Sequence, residues 1–135
     1  MAYPITDIQG IGADAVAILK SEGIRTTVTL LRMAKTPKQR LKIAEKVGTD
    51  DRRVLDWVTA ADRMRVRGVG WEYSELLRAV GVKTVSELKF RNPQRLVEKM
   101  KEANTRRRLV RLLPSVNTVA RWIDTAKKLP ALVRY

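Results

Sequence analysis

RVRGVGWEYSELLRAVGVKT, residues 65–84, and DIQGIGADAVAILKSEGIRT, residues 7–26, are two versions of one pattern. In each, two glycines bracket one aliphatic residue: Gly10-Ile11-Gly12 and Gly68-Val69-Gly70. Leu19 and Leu77 follow at matching distances, then Gly23 and Gly81, then Thr26 and Thr84. Glycine tolerates positive φ and lets another group approach the main chain, so each pair predicts a sharp turn. The aliphatic residue between the glycines is expected to point into the core. The segment after each pair has helical apolar spacing, and Gly23 or Gly81 stops it as a C′ residue. No stretch alternates with period two over a useful length, so the fold class is all-α.

The correspondence runs on. Leu30 matches Leu88, Pro37 matches Pro93, Gly48 matches Asn104, and Trp57-Val58 match Trp122-Ile123. A repeat of this kind predicts two compact helical units of four to five short helices each, over 1–62 and 63–135. The second is longer by about nine residues, inserted between Asn104 and Trp122 and including TRRRLVRLLP, 105–114. Helix boundaries are well marked. Thr26 or Thr27 opens a helix running to about Ala34. Thr36-Pro37-Lys38-Gln39 is a capping box with proline at the first helical position. Thr49 is expected to cap the helix carrying Val54, Leu55, Trp57, Val58 and Ala61. In the second unit Thr84 and Glu87 form a capping box, Asn92-Pro93 opens a helix that Asn104 closes, and Ser115 caps the last. Trp57 and Trp122 each fall in an apolar stripe with their neighbours, which places them in the core.

The 135 residues include no cysteine and no histidine, which excludes disulfides, thiolate metal sites and the usual general base. Hydrophobic residues make up 44%, enough to build a core, while aromatics are only 5%, which favours helix-on-helix packing. No run is long and apolar enough for a membrane helix, and the start lacks a secretory signal, so a cytoplasmic protein without a membrane partner is expected. The net charge is +14. It is lopsided: residues 1–62 carry 10 basic and 8 acidic side chains, residues 63–135 carry 18 and 6. Such a field points to a polyanionic partner.

The helix after each glycine pair presents unpaired N–H groups at the positive end of its dipole, a natural anion site. Around the second turn stand Arg63, Arg65, Arg67 and Arg78, with Trp71 next to the second glycine. The candidate nucleic-acid site is therefore Arg63, Arg65, Arg67, Gly68, Val69, Gly70, Trp71 and Arg78. Arg106, Arg107, Arg108 and Arg111 of the inserted segment join it, since arginine forks suit phosphate. Leu109, Val110, Leu112 and Leu113 should pin that segment to the core. The first turn, Gly10, Ile11 and Gly12, is the weaker candidate, because Asp7, Asp14 and Glu22 outweigh Lys20 nearby. No catalytic residues are assigned and no enzyme is expected: Ser21, Ser74, Ser86 and Ser115 have no histidine to activate them.

IQGIGADAVAILKSEGI and VRGVGWEYSELLRAVGV resemble helix-hairpin-helix motifs, a SAM-domain-like type of fold. The longer pattern resembles the N-terminal helical domain of archaeal and eukaryotic strand-exchange recombinases, and more distantly the C-terminal domain of the bacterial RNA polymerase alpha subunit. The whole tandem, with RVRGVGWEYSELLRAVGVKTVSEL and RNPQRL, is similar to an uncharacterised bacterial family known only as a domain of unknown function. The resemblance departs from usual hairpins in having Ala13 and Trp71 after the second glycine and Val16 and Ser74 four positions after it. It implies sequence-tolerant DNA binding through hairpin amides, in a nucleoid-associated protein. No GxxxxGK[ST] occurs, so no recombinase ATPase is implied. RNA is the second candidate, since phosphates alone do not separate it from DNA. Hairpins of this kind sometimes hold a monovalent cation on their carbonyls; no other cofactor is expected. The competing function is a docking module for an acidic protein partner, with the nearly neutral first unit facing that partner.

Overall fold

In the computed structural model, which describes residues 2–135, the chain is all-helical, with no strand among the described residues. It divides into two compact units, Met1–Asp62 with Leu132–Tyr135, and Arg63–Ala131. The last four residues thus group with unit 1 rather than with the segment that precedes them.

In unit 1, a short 3-10 turn (Ile5–Asp7) precedes α1 (Ala13–Ser21), α2 (Thr27–Met33), α3 (Pro37–Val47) and α4 (Asp51–Arg63), whose last residue lies beyond the boundary. The entering chain is tied down by Ile5 N–H to Arg25 O at 3.0 Å and Thr27 N–H to Tyr3 O at 2.8 Å. Thr26 caps α2 by accepting from Thr29 N–H, and the Thr36–Gln39 capping box opens α3. The start of α4 differs from expectation. Asp50, not Thr49, is the cap: its Oδ1 accepts from Arg53 N–H at 2.8 Å. Gly48 and Thr49 are spent on closing α3, both donating to Ala44 O.

Unit 1 also buries a charge. Arg40 is 3% exposed. Its Nη1 donates to Ala34 O and Lys35 O, and its Nη2 donates to Arg134 O. Burial pushes its pKa below the usual arginine value, with Asp51 among the charges that oppose the shift. Arg134 N–H returns a bond to Lys35 O at 2.9 Å, so the end of the chain is held on both sides of Arg40.

Unit 2 contains α5 (Trp71–Ala79), α6 (Val85–Leu88), α7 (Pro93–Arg106) and α8 (Val116–Lys128). The Thr84–Glu87 box, Asn92 and Ser115 open α6, α7 and α8 as their sequences predict. Gly81 ends α5 at φ 88°, with Gly81 N–H on Arg78 O and Val82 N–H on Leu77 O. That is the Schellman pattern. Asn104 does not close α7; the helix continues to Arg106.

The two glycine turns use their freedom unequally. Of the four bracketing glycines only Gly68 has positive φ, at 91°. A Cβ there would also stand 3.4 Å from Trp122 Nε1. Gly12 and Gly70 are the N-caps of α1 and α5 in extended backbone, with nothing within 4 Å of a Cβ. Val69 and Ile11 are buried, as are Trp122 and Trp57. Gly68→Ala is therefore expected to destabilise unit 2 by about 1–2 kcal/mol, the cost of a left-handed backbone, before any shift of Trp122. Gly70→Ala should cost less than about 1 kcal/mol, since only N-cap preference is lost. Urea melts of the two variants check both values.

Candidate nucleic-acid interface

The cationic residues singled out around the second turn do not all reach the surface. Arg63 is 1% exposed. Its Nε donates to Ser74 O at 2.8 Å and meets Ser74 Oγ at 3.0 Å, and its Nη1 donates to Lys83 O at 3.0 Å. Nη2 lies 3.5 Å from a Glu75 carboxylate oxygen. This side chain ties α5 to the segment after it and, contrary to expectation, presents nothing to a phosphate at the surface. A buried guanidinium spends its donors on carbonyls that would otherwise be stranded. Arg65 is half-buried, with Nη2 donating to Pro130 O at 2.8 Å. Arg67 is exposed, Val69 is core, and Trp71 is half-buried at the first position of α5.

The amide end of α5 has the expected chemistry. Gly70 provides no side-chain cap, and the first main-chain bond of the helix is Ser74 N–H to Gly70 O at 2.9 Å. The amides of Trp71, Glu72 and Tyr73 precede that bond, at the positive end of the dipole. Glu72 stands exposed in the same turn and opposes a second anion there. The first turn is built alike, with Gly12 offering no side-chain cap and exposed Asp14 in the first turn of α1.

The inserted segment begins in the last turn of α7 and continues from Arg107 as a loop that meets α5. At the C-terminal end of α5, Arg78 and Ala79 share a groove of about 380 Å³ with Ala103, Arg106, Arg107 and Leu109. Glu75 completes the lining. Nearer the start of α5, Tyr73 Oη donates to Leu112 O at 2.9 Å. Arg78 and the arginines at the end of α7, 28 residues away in sequence, thus face one hollow. Two are screened: Arg78 Nη1 is 3.3 Å from Glu75, and Arg106 Nη2 is 3.2 Å from Glu102. The Arg106 pair is exposed on both sides and holds by about 0–1 kcal/mol, whereas Glu75 is half-buried and also faces Arg63. Arg107, Arg108 and Arg111 are exposed.

Asn104, expected to stop a helix, does something else. From within α7 its Oδ1 accepts from Leu109 N–H at 2.9 Å and Val110 N–H at 3.1 Å, and its Nδ2 donates to Val110 O at 3.2 Å. One amide side chain thus fixes the loop that carries the arginines. A second open hollow lies beside it, lined by Lys101, Asn104, Thr105, Arg108 and Leu113. Lys101 and Thr105 were not singled out from sequence; the i, i+4 spacing that aligns them on α7 was the available signal. Val110 is buried and Leu109 and Leu113 are partly buried, as expected, but Leu112 is 75% exposed.

The fold and this surface define a small all-helical protein whose second unit gathers cations around α5 and α7. The family model described as Domain of unknown function (DUF4332) matches residues 9–129, and the chain belongs to that family. No curated protein matches the chain. No solved structure matches it either.

Asn104→Ala removes three hydrogen bonds from the 107–111 loop. Trypsin is then expected to cut after Arg107 and Arg108 at least about tenfold faster than in the parent, as local opening there becomes easier. The rest of the chain should keep its resistance, which a time course followed by mass spectrometry would show.

Proposed function

We propose that this protein is a non-enzymatic DNA-binding protein built from two helix-hairpin-helix units, and that unit 2 holds the phosphate backbone without reading base sequence. The observation that carries the reading is the meeting of Arg78, Arg106 and Arg107 around one groove, in the half of the chain with 18 basic and 6 acidic side chains. Phosphate oxygens accept from those guanidinium forks, from Arg67 and Arg108, and from the first-turn amides of α5. The free energy comes largely from released counterions, so binding is strongly salt-dependent. RNA phosphates offer the same acceptors, and comparison of the two polymers belongs to the test. No cofactor or catalytic step enters the proposal. A cytoplasmic, nucleoid-associated location follows from it.

The competing reading, a docking module, draws on unit 1, where Val28, Met33 and Leu41 are exposed and charge is nearly balanced. It predicts binding to an acidic protein and none to nucleic acid at physiological salt.

Fluorescence anisotropy on labelled duplex DNA across a salt series separates the two. Neutralising about 4–6 phosphates gives a log–log slope of about −4 to −5. Arg107→Glu combined with Arg108→Glu should weaken binding by at least about tenfold without lowering Tm, since both side chains are exposed and each charge reversal removes a phosphate contact. Arg65→Glu is a poorer probe, because it also breaks the bond to Pro130.

Gly70→Asp tests the amides separately. Aspartate is a favoured N-cap, so the variant should match or exceed the parent in Tm. Its carboxylate would occupy the amides meant for phosphate, and affinity should fall about tenfold. Unchanged affinity in that variant would remove the hairpin amides from the mechanism and leave the arginines alone.

A further inference from the structure

Unit 2 exposes two large apolar side chains, Phe90 (81%) and Leu112, and Leu112 is the one in the arginine-bearing loop. It is 75% exposed, yet its backbone is held firmly. Its carbonyl accepts from Tyr73 Oη, and the ring of Tyr73 packs on Trp122 with centroids 5.2 Å apart. On the N-terminal side, Val110 is buried and bonded to Asn104 in both directions. On the other side Pro114 is buried and Ser115 caps α8. The exposed leucine therefore does not belong to a slack loop. It is presented at the tip of a fixed one.

The chain on either side of that tip is strongly basic, while Glu75 and Glu102 face its arginines from α5 and α7. Arg106, Arg107, Arg108, Arg111 and Arg121 lie between Glu102 and Asp124, with no acidic residue between. A partner must be anionic and must also offer an apolar slot for one side chain. Stacked bases behind a phosphate backbone offer both. Aliphatic side chains that enter between base pairs unstack a step and kink the duplex. A bilayer surface fits less well, because a single leucine is too small an apolar anchor to hold a protein in a membrane interface.

We propose that Leu112 is a wedge that inserts at a flexible base step of duplex DNA while the flanking arginines hold the phosphates on either side. The inference rests on the reading of unit 2 as a DNA-binding surface and adds what that surface does to its ligand: it bends it. Pyrimidine–purine steps, the easiest to unstack, are then the preferred positions. Preference would come from the cost of deforming the DNA, with no base edge contacted.

The test uses the full chain and duplexes carrying a donor and acceptor at their ends, with 2-aminopurine beside a central TA step. The parent protein should shorten the end-to-end distance and raise 2-aminopurine emission. Leu112→Ala, a change at an exposed side chain, should abolish both signals while weakening binding less than about fivefold, because the phosphate contacts remain. Leu112→Phe should restore them. Binding by the parent without bending or unstacking would overturn the wedge and leave the phosphate-binding reading standing. No binding to duplex at low salt would overturn both. Leu112-dependent binding to anionic phosphatidylserine vesicles, with DNA signals unaffected by Leu112→Ala, would also overturn it and assign the tip to a membrane surface.

Discussion

The backbone at Gly68 passes so close to the indole of Trp122 that a Cβ would meet Nε1 at 3.4 Å. Unit 2 depends on that approach. It sets the start of α5 against α8, with Val69 driven into the core one residue later and Trp122 buried beneath the turn. With the start of α5 fixed, its length and Schellman close determine where Arg78 ends up. A nine-residue helix spans about 13 Å, so the amide end and the arginine groove are separate features of one rod. Unit 1 repeats the relation in looser form: a Cβ at Gly10 would lie 3.9 Å from Trp57 Nε1. The looser approach fits the ordinary φ of Gly10 and its partly solvated neighbourhood.

Charge in this protein does two jobs, and only burial separates them. Arg40 and Arg63 look like other arginines in a basic chain, yet each is enclosed and bonded chiefly to main-chain carbonyls. A planar fork with five donors can satisfy several carbonyls at once, which a lysine could not. Neither guanidinium contributes to the outer field as an exposed one does. The surface field is left to the exposed cations, among them Arg67, Arg78 and the run from Arg106 to Arg111. Of these, Arg106 has an exposed pair that is easily exchanged for a better anion, and Arg78 meets the half-buried Glu75.

Local signals are legible in the sequence because local rules govern them. The Thr36 and Thr84 boxes, Asn92, Ser115, Gly23 and Gly81 all act within four or five residues of themselves, and each stands where those rules put it. Asp50 takes the cap in place of Thr49 because the αL close of α3 holds Thr49 by its main-chain N–H on Ala44 O, and the residue after it stands at the start of α4. Arg63 departs from its expected place for a different reason. Alternating arginines in 63–67 look like a solvated edge, and nothing local says that Ser74 O and Lys83 O will converge on the first of them. Asn104 failed in the same way: its partners, Leu109 and Val110, lie in a loop whose path depends on the packing of α5 against α7. The meeting of Arg78 with Arg106 and Arg107 was beyond the sequence for that reason too.

The grouping of Leu132–Tyr135 with unit 1 gives that unit two separate stretches of chain, with all of unit 2 between them. During synthesis, α3 and its arginine emerge long before residue 134. Until then the Nη2 of Arg40 lacks its last carbonyl, and Lys35 O lacks the amide of Arg134. Burying a guanidinium with donors unspent is costly, so unit 1 gains its final closure only after unit 2 has left the ribosome. Order of translation and order of completion are thus reversed for the first unit, and the few residues at 132–135 act as its finishing stitch.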